Sequence, residues 1–279
     1  MTLVFGQQFI FGVTLMADSR TSLGGEPWRD NVQKIYRLSS HMYIGFAGDI
    51  DFASNILAFV FDSIEKNPKL KSPTVFAYKG PKIIRYAYNV MVRERGEERA
   101  VEFVVAGRDF NRPARDSSGI ILGVAIYDTH LFTIQFPGYK IKKTNLHDSF
   151  VAIGSGSVAV MAEKGWLDGL QDNMSRIQYD LTIHVTHIAL QERIKKLGID
   201  TVGGMYQIIV IDDMGGSGFT PYQMASEHYS GEIDCEMVLD SSGKRFIQRN
   251  LKTGKEMPLL YVHEVLQIIG RSRELFAYT

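Results

Sequence analysis

The chain opens Met1-Thr2-Leu3-Val4-Phe5. A small second residue permits removal of the initiator methionine, so Thr2 is expected to become the N-terminal residue. One residue then carries both a hydroxyl and a free α-amine. An α-amine has a pKa of ~7.7–8.0, so part of it is free base near neutral pH. A threonine paired with its own amine is a recognised nucleophile and base. Three more residues follow at regular intervals: Asp18 is 16 residues after Thr2, Lys34 is 16 after Asp18, and Gly48 is 14 after Lys34. Each alone has an ordinary reading, as a turn or cap carboxylate, a solvated charge and a strand-end glycine with unusual φ. Their joint spacing is what points to chemistry.

The elements that must position these residues are legible in the apolar pattern. Residues 2–11 and 12–17 read as strands, with Asp18 at the end of the second. Lys34 starts a short strand over 34–38, and Gly48 ends one over 42–48. Each candidate therefore sits at a strand end beside a loop, where a scaffold can gather side chains around one point. A helix follows, capped by Asp49 or Asp51, with Phe52, Ile56, Leu57, Val60, Phe61 and Ile64 at helical spacing. A second helical region opens at Ser72-Pro73 and breaks at Gly80-Pro81. Strands resume over 101–106, 120–126, 131–136 and 150–153, the last stopped by Gly154-Ser155-Gly156-Ser157. Two helices are expected over about 157–170 and 174–197, then a strand over 206–211. Runs of strands alternating with pairs of helices predict stacked layers rather than βαβ units. The fold class expected is α+β, a four-layer αββα sandwich of two antiparallel sheets between helix layers. Residues 1–213 form this domain and 214–279 an extension. In the extension, Gly215-Gly216-Ser217-Gly218 reads as a flexible joint. Hairpins are expected around Ser241-Ser242-Gly243 and Thr253-Gly254, and a short helix near 262–270.

Composition narrows the function class. Lys plus Arg and Asp plus Glu both number 31, giving a net charge of +0. No basic run suggests a nucleic-acid or membrane surface, and the cluster Arg93-Glu94-Arg95-Gly96-Glu97-Glu98-Arg99 mixes signs like a solvated helix end. A single cysteine, Cys235, rules out an intrachain disulfide framework and fits a reducing compartment as a buried thiol. With no secretory signal and no run of about 18 apolar residues, the expected location is the cytoplasm. No cofactor or metal is expected. Gly154-x-Gly156-x-x-Ala159 mimics a dinucleotide fingerprint but lacks the second strand of a βαβ unit. His184 and His187 have i, i+3 spacing but no intervening Glu and no third ligand, and read as helix-surface residues.

Three segments together carry a resemblance. They are Gly12-Val13-Thr14-Leu15-Met16-Ala17-Asp18-Ser19-Arg20, Asn31-Val32-Gln33-Lys34-Ile35-Tyr36-Arg37-Leu38 and Gly45-Phe46-Ala47-Gly48. They resemble proteasome β-type subunits, and the bacterial HslV and Anbu proteins, with the spacing from Thr to Asp, Lys and Gly matched without a gap. Ala152-Ile153-Gly154-Ser155-Gly156-Ser157 is similar to the family's Gly-Ser-Gly turn. The resemblance covers about residues 2–213. It implies N-terminal-nucleophile hydrolysis of peptide bonds and a homo-oligomeric ring, with peptide or unfolded protein as substrate and an unfoldase as a possible partner.

On this resemblance Thr2 attacks and its amine is the general base. Lys34 supplies positive charge that lowers the pKa of hydroxyl and amine, and Asp18 holds Lys34 charged and oriented. The Gly48 N–H donates to the oxyanion, and Ser155 hydrogen-bonds near the amine. Thr21, Ser22, Phe46 and Ile50 line the substrate strand, with Phe46 making the first pocket apolar. The sequence departs from the pattern at one place. Before Gly203-Gly204 the family often carries Asp-x-x-Ser, where this chain has Ile199 and Val202; either a local shift brings Asp200, one residue off, into that role, or the support is absent. Two other readings stay open: an inactive ring subunit of the same fold, and an N-terminal-nucleophile amidase acting on a small amide.

Overall fold

A computed structural model describes residues 3–9, 12–23, 26–111, 114–115, 121–122, 126–144, 150–162, 190, 193–199, 202–212, 215–218 and 235–277. In chain order the strands are β1 (Val4–Phe9), β2 (Gly12–Asp18), β3 (Thr21–Leu23), β4 (Glu26–Arg29), β5 (Ile35–Ser39), β6 (Met42–Gly48), β7 (Val101–Asn111), β8 (Ala114–Arg115), β9 (Ile121–Leu122), β10 (Ile126–Phe136), β11 (Lys140–Lys143) and β12 (Phe150–Ile153). They continue with β13 (Tyr206–Asp212), β14 (Gly215–Gly218), β15 (Cys235–Leu239), β16 (Phe246–Asn250) and β17 (Glu256–Pro258). The helices are α1 (Ile50–Lys66), α2 (Pro73–Arg95), α3 (Ser157–Ala162) and α4 (Val262–Ala277).

Two five-stranded sheets dominate, ordered β12-β1-β2-β13-β14 and β11-β10-β7-β6-β5, and the tail forms a three-stranded sheet, β15-β16-β17. All these strand pairs are antiparallel. The fold is α+β.

Alternation along the strands explains the packing. Val4, Val13, Leu15 and Ala17 point to one side and share a core with Tyr43, Val104 and Leu131 of the second sheet. Leu3, Phe5 and Met16 point the other way and pack with Tyr206, Ala159, Val160, Leu190 and Ile194. Strand β2 is therefore buried on both faces, which is why it reads as a nearly continuous apolar run. The outer face of the second sheet, through Ile44, Phe46, Phe103 and Val105, meets Phe52 and Ile56 of α1 and Phe76 and Ile84 of α2. Asp49 caps α1 by accepting from the Phe52 N–H at 3.0 Å, and Ser72 caps α2 by accepting from Val75.

The structure departs from the sequence expectation in places. Helix α2 runs straight through Gly80-Pro81. Proline at 81 provides no N–H for the Ala77 carbonyl, yet Phe76, Ala77, Gly80, Pro81 and Ile84 all lie buried. Gly80 gives the Phe76 ring its space, since a Cβ there would come within 2.4 Å of it. Tertiary burial of this face outweighs the local break. Residues 215–218 are not a flexible joint but the edge strand β14. The Gly216 N–H donates to the Ser40 carbonyl at 2.7 Å, and a Cβ at Gly216 would lie 2.1 Å from the Tyr43 ring. These glycines serve close approach. Lys34 precedes β5 rather than starting it, α4 extends past 270, and Cys235 is only half-buried. Of the helices expected over 157–170 and 174–197, residues 163–189, His184 and His187 included, lie outside the described residues. No described helix is long and apolar enough to cross a membrane.

Candidate functional site

Strand β2 delivers Asp18 to the interior with its side chain 0% exposed. Oδ1 accepts from the Leu3 N–H at 2.9 Å and from Lys34 Nζ at 2.8 Å. Oδ2 accepts from the Gly203 N–H at 3.1 Å and the Arg20 N–H at 3.3 Å. The Asp18 N–H in turn donates to the Leu3 carbonyl at 3.2 Å. Leu3 is thus held from both of its backbone groups. Thr2, bonded to it, lies outside the described residues.

Lys34 Nζ also donates to the Arg20 carbonyl. Burial pushes the Lys34 pKa below the usual lysine value; the Asp18 charge and hydrogen bond pull it part of the way back. The lysine is set by the loop before β5, and two buried glutamines hold that loop. Gln207 Oε1 accepts from the Lys34 N–H at 2.8 Å while its Nε2 donates to the Val32 carbonyl at 2.9 Å. Gln33 Nε2 donates to the Ile35 and Lys244 carbonyls at 2.9 and 2.7 Å, and its Oε1 accepts from the Phe246 N–H at 3.1 Å.

The glycine pair 203–204 has a steric reason. Arg20 makes a two-pronged pair with Asp30, Nε to Oδ1 at 2.7 Å and Nη2 to Oδ2 at 2.8 Å. A Cβ at Gly203 would lie 2.6 Å from the Arg20 guanidinium carbon, and one at Gly204 2.5 Å from Ser19 Oγ. Only a bare backbone lies flat on this layer and brings the Gly203 N–H to Asp18.

The Gly154-Ser157 turn closes with the Ser157 N–H donating to the Gly154 carbonyl at 3.1 Å. It abuts Leu3, because a Cβ at Gly156 would sit 2.6 Å from Leu3 Cβ and 3.1 Å from Val202 Cγ2. Ser155 is half-buried within it. Glu102 ties this turn to the second sheet: Oε2 accepts from the Gly154 N–H and Oε1 from Gln135 Nε2, both at 2.7 Å. Glu102 stands opposite Ala47, one residue before Gly48. Gly48 has φ +102, and a Cβ there would meet the Ala100 carbonyl at 2.4 Å.

A cleft of about 610 Å³ is bordered by Lys34, Gly48, Thr21, Ser22, Phe46 and Ile50. Six residues nominated from the sequence thus share one cavity, with Asp18 behind Lys34. Ser155 is on the turn beside Leu3 rather than on the cleft wall. Asp200 lies outside the described residues, while Val202 is buried with Leu3 in the apolar cluster that Ile199 also packs against.

No family model matches this chain, and no curated protein matches it.

Sequence reasoning missed several of them. Asp30 works through the Arg20 side chain, and Gln33, Gln207 and Glu102 through backbone partners far away in the chain, and none of these leaves a periodic signal. Arg95, Glu97 and Arg99, read as a solvated helix end, border the cleft. Leu266 and Ile269 border it too, from the tail. Among the described residues no group of three or more His, Cys, Asp or Glu side chains could hold a metal ion.

Proposed function

We propose that this chain is a threonine-type peptidase of the N-terminal-nucleophile kind, with Thr2 exposed by removal of Met1. One observation carries the reading: Asp18 Oδ1 accepts from both the Leu3 N–H and the Lys34 ammonium. A single carboxylate oxygen therefore ties the residue bonded to Thr2 to the buried lysine that borders the cleft. The two face-packed sheets with helices against their outer faces are read here as the four-layer αββα sandwich.

In the proposed reaction the free Thr2 amine takes the hydroxyl proton, directly or through a water. The oxygen attacks the peptide carbonyl, and the Gly48 N–H donates to the developing oxyanion. The C–N bond breaks, the amine leaves with a proton, and an ester on Thr2 is hydrolysed by water. Lys34 lowers the pKa of hydroxyl and amine by proximity of its charge. Assembly into a homo-oligomeric ring in the cytoplasm, with the cleft facing inward, belongs to the same proposal.

The inactive-subunit alternative is favoured by one feature, the apolar Val202 buried where a supporting serine is expected. Turnover of fluorogenic peptides by wild type and Thr2→Ala separates the two, with loss of Met1 checked by intact mass. The expected result is a fall of at least about a hundredfold in Thr2→Ala. Equal, negligible turnover in both proteins overturns the peptidase reading, as does retention of Met1 on an active wild type.

A further inference from the structure

The wall of the cleft is completed by a helix outside the two-sheet body. Helix α4 is fixed at its start. The Leu260 N–H donates to the Asn31 carbonyl at 2.7 Å, and the Gln33 N–H donates to the Leu260 carbonyl at 2.8 Å. The Val262 N–H donates to Tyr36 Oη at 2.9 Å, and Tyr36 Oη donates to the Gln33 carbonyl at 3.0 Å. Glu264 pairs with Arg245 at 2.9 Å. These bonds seat the helix on the loop that carries Lys34, on β5 that follows it, and on the residue that leads into β16.

Val262, Val265, Leu266 and Ile269 follow helical spacing along one face. The first two are 3% and 0% exposed in the body. The next two, half-buried, border the cleft. The face that anchors the helix thus continues as apolar lining of the cleft, which Ile50 and Trp28 of the body also border.

The charges around the cavity select little. Lys34 pairs with Asp18, Arg20 with Asp30, Arg95 with Asp51 and Arg99 with Glu97. Each basic group of the wall has an acidic partner, so an anionic substrate group would have to displace one, and the Asp49 carboxylate on the same wall already accepts from the Phe52 N–H. Discrimination is left to apolar area.

We propose that α4 is the specificity wall of the cleft, with Leu266 and Ile269 as the residues that select a bulky apolar side chain of an extended peptide. This rests on the peptidase reading above. The chemistry comes from the body, and the tail decides which side chain is accepted.

The test uses the full chain and three peptides differing only at the residue before the scissile bond: Phe, Ala or Glu. The readout is the ratio of kcat/KM values for Phe over Ala. We expect Leu266→Ala and Ile269→Ala to lower this ratio about tenfold, as loss of a few methylenes from an apolar pocket does. Leu266→Trp, which fills the cavity, should lower it further. An unchanged ratio in all three variants overturns the proposal, as does a preference for Glu in wild type. If wild type cleaves none of the peptides, the peptidase reading fails and the wall is judged by calorimetric titration with the Phe and Ala peptide amides. Tighter binding of the Phe peptide that is lost in Leu266→Trp sustains the wall. No binding, or equal binding in both proteins, removes it.

Discussion

Lys34 and Asp18 form an ion pair at 2.8 Å in which their side chains are 2% and 0% exposed. Such a pair is weak evidence for stability in itself, because desolvation offsets most of the attraction. Its cost becomes visible when one partner is lost. Asp18 also holds the N–H groups of Leu3, Arg20 and Gly203, so it joins the chain start, the end of β2 and the glycine pair.

Asp18→Asn should therefore destabilise the protein by about 3–5 kcal/mol, the range for a buried charge left unpaired. Adding Lys34→Met should restore part of that loss, since no charge then remains to be buried. Urea unfolding of the single and double variants is the check. A single-variant loss below about 1 kcal/mol, in the range of an exposed pair, would show that the pair is not structural.

Gly48→Ala is expected to cost about 1–3 kcal/mol, the range for a residue forced into a sparsely populated backbone region. The backbone has φ +102 there, and the new methyl would meet the Ala100 carbonyl. Peptide turnover should fall more than stability, because relief of the clash shifts the edge of the cleft. Parallel thermal unfolding and kinetics distinguish the two, and a variant with wild-type Tm and wild-type kcat would refute the assignment.

His130 gives a pH dependence away from the cleft. Its Nε2 lies 2.9 Å from Thr74 Oγ1 beside the start of α2. Burial lowers its pKa from 6.5, while Asp109 and Asp128 pull it up and Lys143 pushes it down. The unfolded chain then binds the proton more readily than the folded one, so stability falls as pH drops below about 6.5. The loss stops growing once pH passes the depressed folded value. Compared with His130→Gln, wild type should lose more stability between pH 7.5 and 5 (a window of about 2.5 units around the ordinary histidine value). Parallel curves for the two proteins would count against it.

Much of the scaffold was legible because local pattern and tertiary burial agree. Strands β1, β2 and β6 are apolar runs punctuated by Asp18 and Gly48, and α1 carries its cap and its stripe. Legibility failed where a distant neighbour decides. Pro81 is tolerated because Phe76 and Ile84 bury that face of α2. Gly216 looks like a linker residue until the Tyr43 ring beneath it is known. Gln33 and Gln207 fix the lysine loop, yet their bonds span 211 and 173 residues, and nothing near them in the sequence announces a partner. The same holds for α4, whose apolar face is periodic but whose destination is set by Asn31, Gln33 and Tyr36.

The clasp between Val262 and Tyr36 joins residues 226 apart, and this bears on timing during biosynthesis. Both main sheets are made well before residue 262 leaves the ribosome, and a body of that kind can begin to fold as it emerges. Its cleft, however, lacks one side until α4 arrives. On the peptidase proposal, a half-made chain therefore holds the lysine and carboxylate but not the surface proposed to grip a peptide, and completion of the tail becomes the event that turns a folded body into a finished receptor.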